Sequence, residues 1–239
     1  MSEDFKPRKR PQFFQEEPGQ DDESVVFLGK GPVKGEADLY IDRQRDEDLA
    51  RPVELKEKMF LAPKLGPVFY VRQIAEAGGL QTCYPTSLLN AWIHQGAITQ
   101  LEAQRIQDRF RSDLRRLFRH IPQYGYSTHA QNPYEFTQLV ASELGKTPRF
   151  YNMSVARLNA AEVKKILLQE LTRGNLVVVG DKFHASLVVG YSDYGHELGI
   201  RDPMQPQSII MKKTLVVTEA IANDSDKFIG IIPSDRPMF

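Results

Sequence analysis

The sequence predicts an α+β fold in which a helical half precedes an antiparallel β-sheet. Between residues 99 and 174, apolar side chains recur at helical spacing behind helix-start signals. After Gly174 the pattern changes to short apolar runs separated by turns, which is typical of strands. With 239 residues, the chain is long enough for one substantial core. We therefore expect a single domain preceded by a polar segment.

That polar segment is predicted to cover residues 1–58. It is rich in charged residues, Pro, Gly and Gln, with a basic cluster at Lys6–Arg10 followed by acidic residues between 16 and 23. Such a composition buries little apolar surface, so we expect the segment to be disordered or draped over the domain. Its short apolar run Ser24–Gly29 predicts a strand that docks on the domain or a self-inhibitory segment in a cleft. A protein partner could also bind here, and the domain itself is predicted to span residues 59–239.

The charge and cysteine content exclude several classes of function. The formal net charge is zero, with 31 basic and 31 acidic residues, so no global field attracts nucleic acid or an anionic membrane. A single cysteine excludes an internal disulfide, and no Cys/His cluster has zinc-ligand spacing. The first residues lack the apolar region of a signal peptide, and no apolar run reaches the ~20 residues of a membrane span. We expect a cytoplasmic protein, with non-classical secretion as an effector left open.

Two capping boxes predict the starts of helices. Thr99 pairs with Glu102, and Asn159 pairs with Glu162, each with the side-chain types that satisfy the first backbone N–H groups of a helix. Apolar residues follow each box at helical spacing. The faces predicted to be buried are Ile106, Phe110, Leu114 and Leu117 in the first helix, and Val163, Ile166, Leu167 and Leu171 in the second.

A further helix is predicted between these two. Asn132–Glu135 carries a cap residue followed by proline at the first helical position, ahead of the apolar set Phe136, Leu139, Val140 and Leu144. Gly145 is the predicted stop of this helix, and Gly174 is the predicted stop of the helix that follows it.

The remaining segments predict strands. Leu176–Gly180 is a continuous apolar run, as expected for a strand buried on both faces. Phe183–Tyr191 and Glu197–Asp202 predict two more strands joined by a hairpin turn. Ser208–Val217 and Phe228–Ile232 are predicted to complete the sheet, and Pro67–Gln73 is predicted to be a strand or an extended segment that enters the domain.

The only cysteine, Cys83, lies where a loop is predicted to become a helix. Thr82 can cap that helix, Pro85 suits its first turn, and Leu88 and Trp92 supply a buried face. The unpaired N–H groups and positive dipole end of a helix start favour a thiolate over a thiol. Cys83 is therefore a candidate nucleophile, against the alternative that it is a small buried apolar residue.

A nucleophilic thiolate needs a base and an orienting acid, and two later segments supply them. His184 stands at the entry of a predicted strand, and Asp202 stands at the exit of the next one. An imidazole can accept the thiol proton, and a carboxylate can fix its tautomer, if the three groups meet in space. His196 competes with His184 for the role of base, and Asp193 competes with Asp202 for the role of acid.

Three motifs together resemble the papain-like cysteine peptidases of the C39 type, which process bacteriocins. They are Cys-x-Pro-Thr-Ser-Leu at Cys83–Leu88, His-x-x-Leu-Val-Val-Gly-Tyr at His184–Tyr191, and Asp202-Pro203 after a short hairpin. The resemblance implies a papain-like fold, with the nucleophile helix packed on a C-terminal antiparallel sheet. It also implies a thiol protease, a hydrolase that cleaves peptide or protein substrates through a Cys–His–Asp triad and an acyl-enzyme, with no metal or organic cofactor.

The resemblance also implies an oxyanion donor ahead of the cysteine. In this family a glutamine donates its side-chain amide to the oxyanion, and Gln73, after an aromatic extended segment, matches that context. Gln81 is the rival because it is closer to Cys83 in sequence. One position departs from the family pattern, since Tyr84 follows the cysteine where glycine is frequent, and a bulky side chain there could shape or block the pocket.

Two other functions fit the same residues. An acyltransferase or transglutaminase-like enzyme would use the same triad but pass the acyl group to an amine. A catalytically silent papain-like module would keep the shape and bind a partner, with Tyr84 filling the pocket. Adding amines to a reaction separates the first alternative from a peptidase, and the reactivity of Cys83 separates the second.

Overall fold

The computed structural model describes residues 49–61, 70–72, 83–109, 133–146, 148–153, 158–180, 184–223 and 228–234. The helices in this part of the chain are α1 (Cys83–Gln95), α2 (Gln100–Arg109), α3 (Pro133–Leu144), α4 (Ala160–Thr172) and α5 (Thr214–Asn223). The strands are β1 (Met59–Phe60), β2 (Tyr151–Met153), β3 (Leu176–Gly180), β4 (Ala185–Ser192), β5 (Glu197–Arg201), β6 (Ile210–Lys213) and β7 (Phe228–Ile232).

The strands form one sheet in which each pairing is antiparallel. Their order is β2-β7-β3-β4-β5-β6, and β1 pairs in addition with β4. Helices α1 to α3 precede the main run of strands, so the predicted α+β class, a helical half packed on a C-terminal antiparallel sheet, is confirmed.

Helix α1 packs against β3 and β4 and buries one face of the sheet. Leu88, Leu89 and Trp92 have no exposed surface, as the amphipathic pattern predicts. They share an apolar cluster with the alternate strand residues Val178 and Leu187. Because successive side chains of a strand point to opposite faces, the residues next to Val178 and Leu187 in sequence point to the other face of the sheet.

Helices α4 and α5 cover the opposite face of the sheet. Val163, Ile166, Leu167 and Leu171 are buried there, the set predicted from the sequence. They form a second apolar cluster with the strand residues that point away from α1, namely Val177, Val179, Val188, Tyr191, Leu198, Ile200, Ile229 and Ile231. The sheet is thus buried on both faces, which explains the continuous apolar run of β3.

The predicted capping boxes are confirmed. Glu162 N donates to Asn159 Oδ1 at 3.0 Å while Asn159 N donates to Glu162 Oε2 at 2.8 Å. The same exchange joins Thr99 and Glu102, with distances of 2.7 and 3.2 Å. Each box satisfies backbone N–H groups that have no partner within the helix.

The ends of the helices agree with the prediction as far as they are described. Gly145 and Gly174 follow α3 and α4 with φ of 62° and 82°, a left-handed conformation that favours glycine. The cap residue predicted for α3, Asn132, lies outside the described residues. So do Phe110, Leu114 and Leu117 of the first predicted face, while Ile106 of that face is buried in α2.

The strand predicted at Ser208–Val217 is wrong in its second half. Only Ile210–Lys213 form a strand, and α5 begins at Thr214. The Thr214 hydroxyl donates to Gly195 O at 2.8 Å, and its N–H donates to His196 O at 2.8 Å, which turns the chain away from the sheet. Val217 and Ile221, one helical turn apart, then pack on the second cluster. This packing overrides the β propensity of the Val-Val sequence.

Two short strands, β1 and β2, were not predicted. Strand β1 pairs with β4 and approaches it closely at Gly190. A Cβ there would lie 2.3 Å from Met59 O, so only glycine fits. Leu61 N also donates to Val189 O at 2.9 Å. Leu49, Val53 and Leu55, from the segment before β1, pack against the second cluster. Among the described helices, none is long and apolar enough to cross a bilayer.

Candidate active site

The candidate nucleophile Cys83 is the first residue of α1. It is 2% exposed and belongs to the apolar cluster under α1. The predicted cap residue Thr82 and both candidate oxyanion donors, Gln73 and Gln81, lie outside the described residues. The start of α1 therefore carries the one thiol of the chain at the positive end of a 13-residue helix.

The hairpin of β4 and β5 brings His184 and Asp202 together. His184 directly precedes β4, and Asp202 directly follows β5. Leu187 pairs with Arg201 in the antiparallel register. Continuing that register places Asp202 opposite residue 186, and His184, two residues earlier, points to the same face. The spacing of the two residues is thus fixed by strand geometry.

The two side chains are hydrogen bonded. His184 Nε2 lies 3.1 Å from Asp202 Oδ2, and the side chains are 36% and 25% exposed. The other carboxylate oxygen of Asp202 accepts from Met204 N at 2.8 Å. A carboxylate oxygen accepts this bond when Nε2 donates it, and a neutral imidazole that donates from Nε2 has its lone pair on Nδ1, the arrangement that a general base needs.

A contact between α1 and β4 relates the thiol to this pair. Ser87 Oγ donates to Ala185 O at 3.3 Å. Ser87 lies four residues after Cys83, so both are on the same face of α1. Ala185 is the residue after His184. The first turn of α1, which begins at Cys83, therefore lies against the start of β4, the residue after His184.

The predicted extended segment is described at Tyr70–Arg72, which lies outside any strand. Its backbone is bound by side chains instead. Asn90 Oδ1 accepts from Val71 N, and Asn90 Nδ2 donates to Val71 O, both at 2.9 Å. Gln107 Nε2 donates to Arg72 O at 3.2 Å and to Thr86 Oγ1 at 3.2 Å. The segment Tyr70–Arg72 is thus fixed to α1 and α2.

The loop that follows Asp202 is fixed to the same segment. Gln207 Nε2 donates to Tyr70 O at 2.9 Å. Arg201 donates from Nη1 to Pro206 O at 2.7 Å, and its guanidinium carbon lies 4.2 Å from the centre of the Tyr70 ring. The acid-bearing loop and the extended segment therefore form one hydrogen-bonded unit beside α1.

A buried titratable pair lies behind this unit. Tyr70 Oη and His94 Nδ1 are 2.7 Å apart. Burial, with a further contribution from the charge of Arg201, lowers the pKa of His94 to about 4, although the Leu61 backbone opposes that shift. Burial raises the pKa of Tyr70 and lowers the pKa of Arg201. His94 is therefore neutral at pH 7.

The rival residues for base and acid lie at the other end of the hairpin. Asp193 and His196 are in the exposed turn between β4 and β5, where Asp193 and Tyr194 have φ of 47° and 49°. His184 and Asp202 lie at the open end of the same hairpin. The eight residues of β4 separate the two sites.

Tyr84, the residue that departs from the family pattern, points into the core. It has no exposed surface. A Cβ on Gly230 would lie 2.5 Å from the Phe150 ring and 3.4 Å from the Tyr84 hydroxyl, so the tyrosine ring reaches β7. The Tyr84 side chain therefore packs between α1 and the sheet.

The residues that fix these segments, namely Asn90, Gln107, Gln207 and Arg201, are not among the site residues predicted from the sequence. The available signal was a polar amide on an otherwise apolar helix face, since Asn90 and Gln107 are each 2% exposed. A buried amide must find partners, and here the partners are backbone groups of a neighbouring segment.

Comparison with known proteins gave only distant similarities. No family model and no curated protein matches the sequence. A protein of Bacillus anthracis described as a C39-like peptidase is 15% identical, with a TM-score of 0.45 over 76% of this chain and 100% of that one. Xylellain, a cysteine protease from Xylella fastidiosa, is 12% identical, with a TM-score of 0.44 over 89% and 100%. UfSP from C. elegans is 16% identical, with a TM-score of 0.39 over 81% and 38%. These similarities assign no family and no residue role.

Proposed function

We propose that the protein is a papain-like cysteine peptidase of the C39-like type that hydrolyses peptide bonds. Cys83 is the nucleophile, His184 is the general base and acid, and Asp202 orients the imidazole. The observation that carries the proposal is the 3.1 Å hydrogen bond between His184 Nε2 and Asp202 Oδ2. In the tautomer that donates from Nε2, Nδ1 is the proton acceptor, and the residue after His184 contacts α1 one turn after Cys83.

The reaction follows from the chemistry of these groups. His184 Nδ1 takes the proton of the Cys83 thiol, and the thiolate attacks the carbonyl carbon of the substrate peptide bond. The imidazolium returns that proton to the leaving amine, which gives a thioester. Water then attacks the thioester with His184 again as base, which releases the acid and restores the thiol.

The oxyanion of each tetrahedral intermediate needs donors. We assign this role to the backbone N–H of Cys83 and the side-chain amide of Gln73, with Gln81 as the rival. Removing one such donor lowers kcat by about 10²–10³-fold in other acyl-transfer enzymes. Comparing Gln73→Ala with Gln81→Ala distinguishes the two glutamines, because only the donor should lower kcat on that scale.

The test of the proposal uses the full chain and a library of peptides from a digested proteome. We expect cleavage by the wild type and loss of at least about 10⁴-fold in rate for Cys83→Ala and for His184→Ala. Asp202→Asn should lose about 10²–10⁴-fold, because a neutral amide with one acceptor replaces the carboxylate that orients the imidazole and stabilises the imidazolium. Full activity in Cys83→Ala would exclude the thiol mechanism.

The hairpin supplies matched controls for these variants. His196→Ala and Asp193→Asn replace the same residue types in the exposed turn of that hairpin. Both should retain cleavage within about twofold of the wild type, since surface substitutions away from special features have small effects. Equal loss in His184→Ala and His196→Ala would reject the assigned base.

A catalytically silent binding module is the second candidate, and the 2% exposure of Cys83 favours it. A nucleophile must be reachable by substrate, whereas a structural thiol need not be. The rate of iodoacetamide labelling of Cys83 in the folded chain, relative to the chain in denaturant, separates the two. A peptidase should label at a comparable or higher rate when folded, and a silent module should be protected by several orders of magnitude.

An acyltransferase or transglutaminase-like activity remains the alternative within the same chemistry. The thioester formed at Cys83 can react with an amine in place of water. Mass analysis of products formed with added glycine amide or alkylamines tests this. Amine adducts exceeding hydrolysis products at millimolar amine would replace the peptidase proposal by acyl transfer.

A further inference from the structure

A cavity of about 420 Å³ lies between the extended segment and the loop after Asp202. It is lined by Arg72, Met204, Gln205, Pro206, Gln207 and Ser208. Ligand cavities in proteins typically measure about 300–1,000 Å³, so this one can hold an amino-acid side chain or a chain end.

The cavity adjoins the proposed catalytic residues. Its wall begins at Met204, whose N–H donates to Asp202 Oδ1 at 2.8 Å. The other carboxylate oxygen of Asp202 is bound to His184. A substrate whose scissile bond reaches His184 therefore extends its neighbouring residues toward this wall.

The described lining of the cavity combines one cation with neutral residues. Among the lining residues that the structure describes, Arg72 is the only charged one and none is acidic. Within the described part of the chain, no carboxylate lies within ion-pair distance of the Arg72 guanidinium. A guanidinium presents a fork of N–H donors that fits a carboxylate in two parallel hydrogen bonds.

The walls of the cavity are held in place by hydrogen bonds from Gln107 and Arg201, which are not among its described lining residues, and from Gln207, which is. Gln107 binds the Arg72 carbonyl at 3.2 Å, and Arg201 binds the Pro206 carbonyl at 2.7 Å. Gln207 joins the two walls through its bond to Tyr70 O at 2.9 Å. A site fixed in this way loses less entropy when a ligand binds.

We propose that this cavity binds a substrate carboxylate through Arg72 and thereby selects peptides with an acidic group near the cleaved bond. The proposal rests on the proposed peptidase function for its role in selection, while the binding of the carboxylate stands on the cavity alone. The carboxylate can belong to an Asp or Glu side chain or to a chain terminus, because both present the same two oxygens.

The first experiment measures binding without turnover. The ¹⁵N-labelled full chain is titrated with N-acetylglutamate amide, with N-acetylglutamine amide and with N-acetyl-alanyl-alanine, which has a free C-terminus. We expect shifts of the backbone amide resonances of Met204, Gln205, Gln207 and Ser208 with a carboxylate ligand. The neutral glutamine compound should bind about tenfold more weakly, because a charge-assisted bond is lost.

Arg72 variants test the assigned cation. Arg72→Gln should remove the preference for the carboxylate, and Arg72→Lys should restore part of it. Arg105→Gln, an exposed arginine on α2, is the matched control and should bind like the wild type. Equal affinity for the glutamate and glutamine compounds, or unchanged affinity in Arg72→Gln, would overturn the inference. The stronger of the two carboxylate ligands identifies side chain or terminus as the source.

The second experiment profiles cleavage sites in a proteome-derived peptide library. We expect acidic groups to be enriched at one fixed position, with the enrichment lost in Arg72→Gln and replaced by Lys or Arg in Arg72→Glu. Cleavage with identical profiles in the wild type and Arg72→Gln would overturn selection by Arg72 and leave the peptidase intact. Carboxylate binding without any cleavage would instead overturn the peptidase and leave the carboxylate site.

Discussion

The two faces of the sheet are covered by helices of different character. Helix α1 buries all 13 of its residues, and its buried polar groups include Thr86, Ser87, Asn90, His94 and Gln95. Helix α4 on the opposite face buries a run of aliphatic side chains, and its buried polar residues Gln169 and Glu170 are confined to its C-terminal part. The strands between them are apolar on both sides.

The buried polar residues of α1, compared with the mainly aliphatic face of α4, indicate where the candidate site lies. A buried polar side chain costs free energy unless it is hydrogen bonded, so each polar residue in α1 implies a partner. Ser87 and Asn90 find theirs in the backbone of segments next to His184 and Arg72. The α1 face therefore positions the segments of the site, while the α4 face contributes apolar packing.

The largest effect on stability should come from the α4 face. Leu167 has no exposed surface, and Leu167→Ala should reduce the free energy of unfolding by about 4 kcal/mol through lost burial and a cavity. Activity per folded molecule should not change. Denaturant unfolding and cleavage assays check these two results.

Leu101→Ala is the matched control for this variant. Leu101 is 73% exposed on α2, so its loss should change stability by no more than about 0.5 kcal/mol. A fall in activity per folded molecule in Leu167→Ala, at a temperature where the variant is folded, would contradict the division between the two faces.

The next effect is the pH dependence contributed by His94 on the α1 face. Its pKa is lowered from 6.5 to about 4 in the folded chain. Between these pH values the unfolded chain binds a proton that the folded chain does not, so stability falls as pH decreases. The loss should total about 3 kcal/mol from pH 6.5 to 4 and should be absent above pH 6.5.

Unfolding measured across this pH range in the wild type and in His94→Gln isolates the contribution of His94. The variant is expected to be less stable at pH 7, because it loses the fit to Tyr70, but to show a shallower decline with acid. Parallel pH curves for the two proteins would show that His94 does not titrate as its burial requires.

A third prediction concerns the hydrogen bonds from α1 that hold the extended segment. Asn90→Ala removes two hydrogen bonds to Val71, at about 1 kcal/mol each, so stability should fall by about 2 kcal/mol. Activity should fall as well, because the segment before Gln73 loses its attachment to α1. Steady-state kinetics at a temperature well below unfolding measure this.

Asn175→Ala, in the turn after α4, is the matched control. Asn175 also makes two hydrogen bonds, to Glu170 Oε2 at 2.7 Å and from Ser234 N at 3.0 Å. It should lose similar stability without loss of kcat. Equal kcat in the two variants would remove the positioning role of Asn90.

Much of this architecture could be predicted because its signals are local. Capping boxes are complete within four residues, and a buried strand such as Leu176–Gly180 is visible as an apolar run. His184 and Asp202 could be paired because a short hairpin fixes which residues meet across two strands. These features depend on neighbours in sequence.

The parts that were missed depend on contacts that sequence spacing does not reveal. The predicted strand Ser208–Val217 includes the first four residues of α5, Thr214–Val217, because the two valines favour strands, whereas in the structure Thr214–Asn223 is a helix that packs on α4. Strand β1 is two residues long, and its pairing with Gly190 needs a close approach that no local pattern indicates. The bond of Gln207 to Tyr70 joins residues 137 apart.

The smallest predicted effect concerns the capping boxes, one on each side of the sheet. Asn159→Ala removes the cap of α4, and Thr99→Ala removes the cap of α2, which packs against α1. Each should reduce the free energy of unfolding by about 1 kcal/mol, because one side-chain acceptor for a backbone N–H is lost. Because the two variants are expected to lose the same free energy of unfolding, a difference in kcat between them reports the role of each face in positioning the site. Thr99→Ala is expected to lower kcat slightly, because α2 holds Gln107 against Arg72, whereas Asn159→Ala is expected to leave kcat unchanged. If both variants keep the kcat of the wild type, the cap of α2 is not needed to position Gln107. In that case the positioning of the site depends on α1 and not on α2.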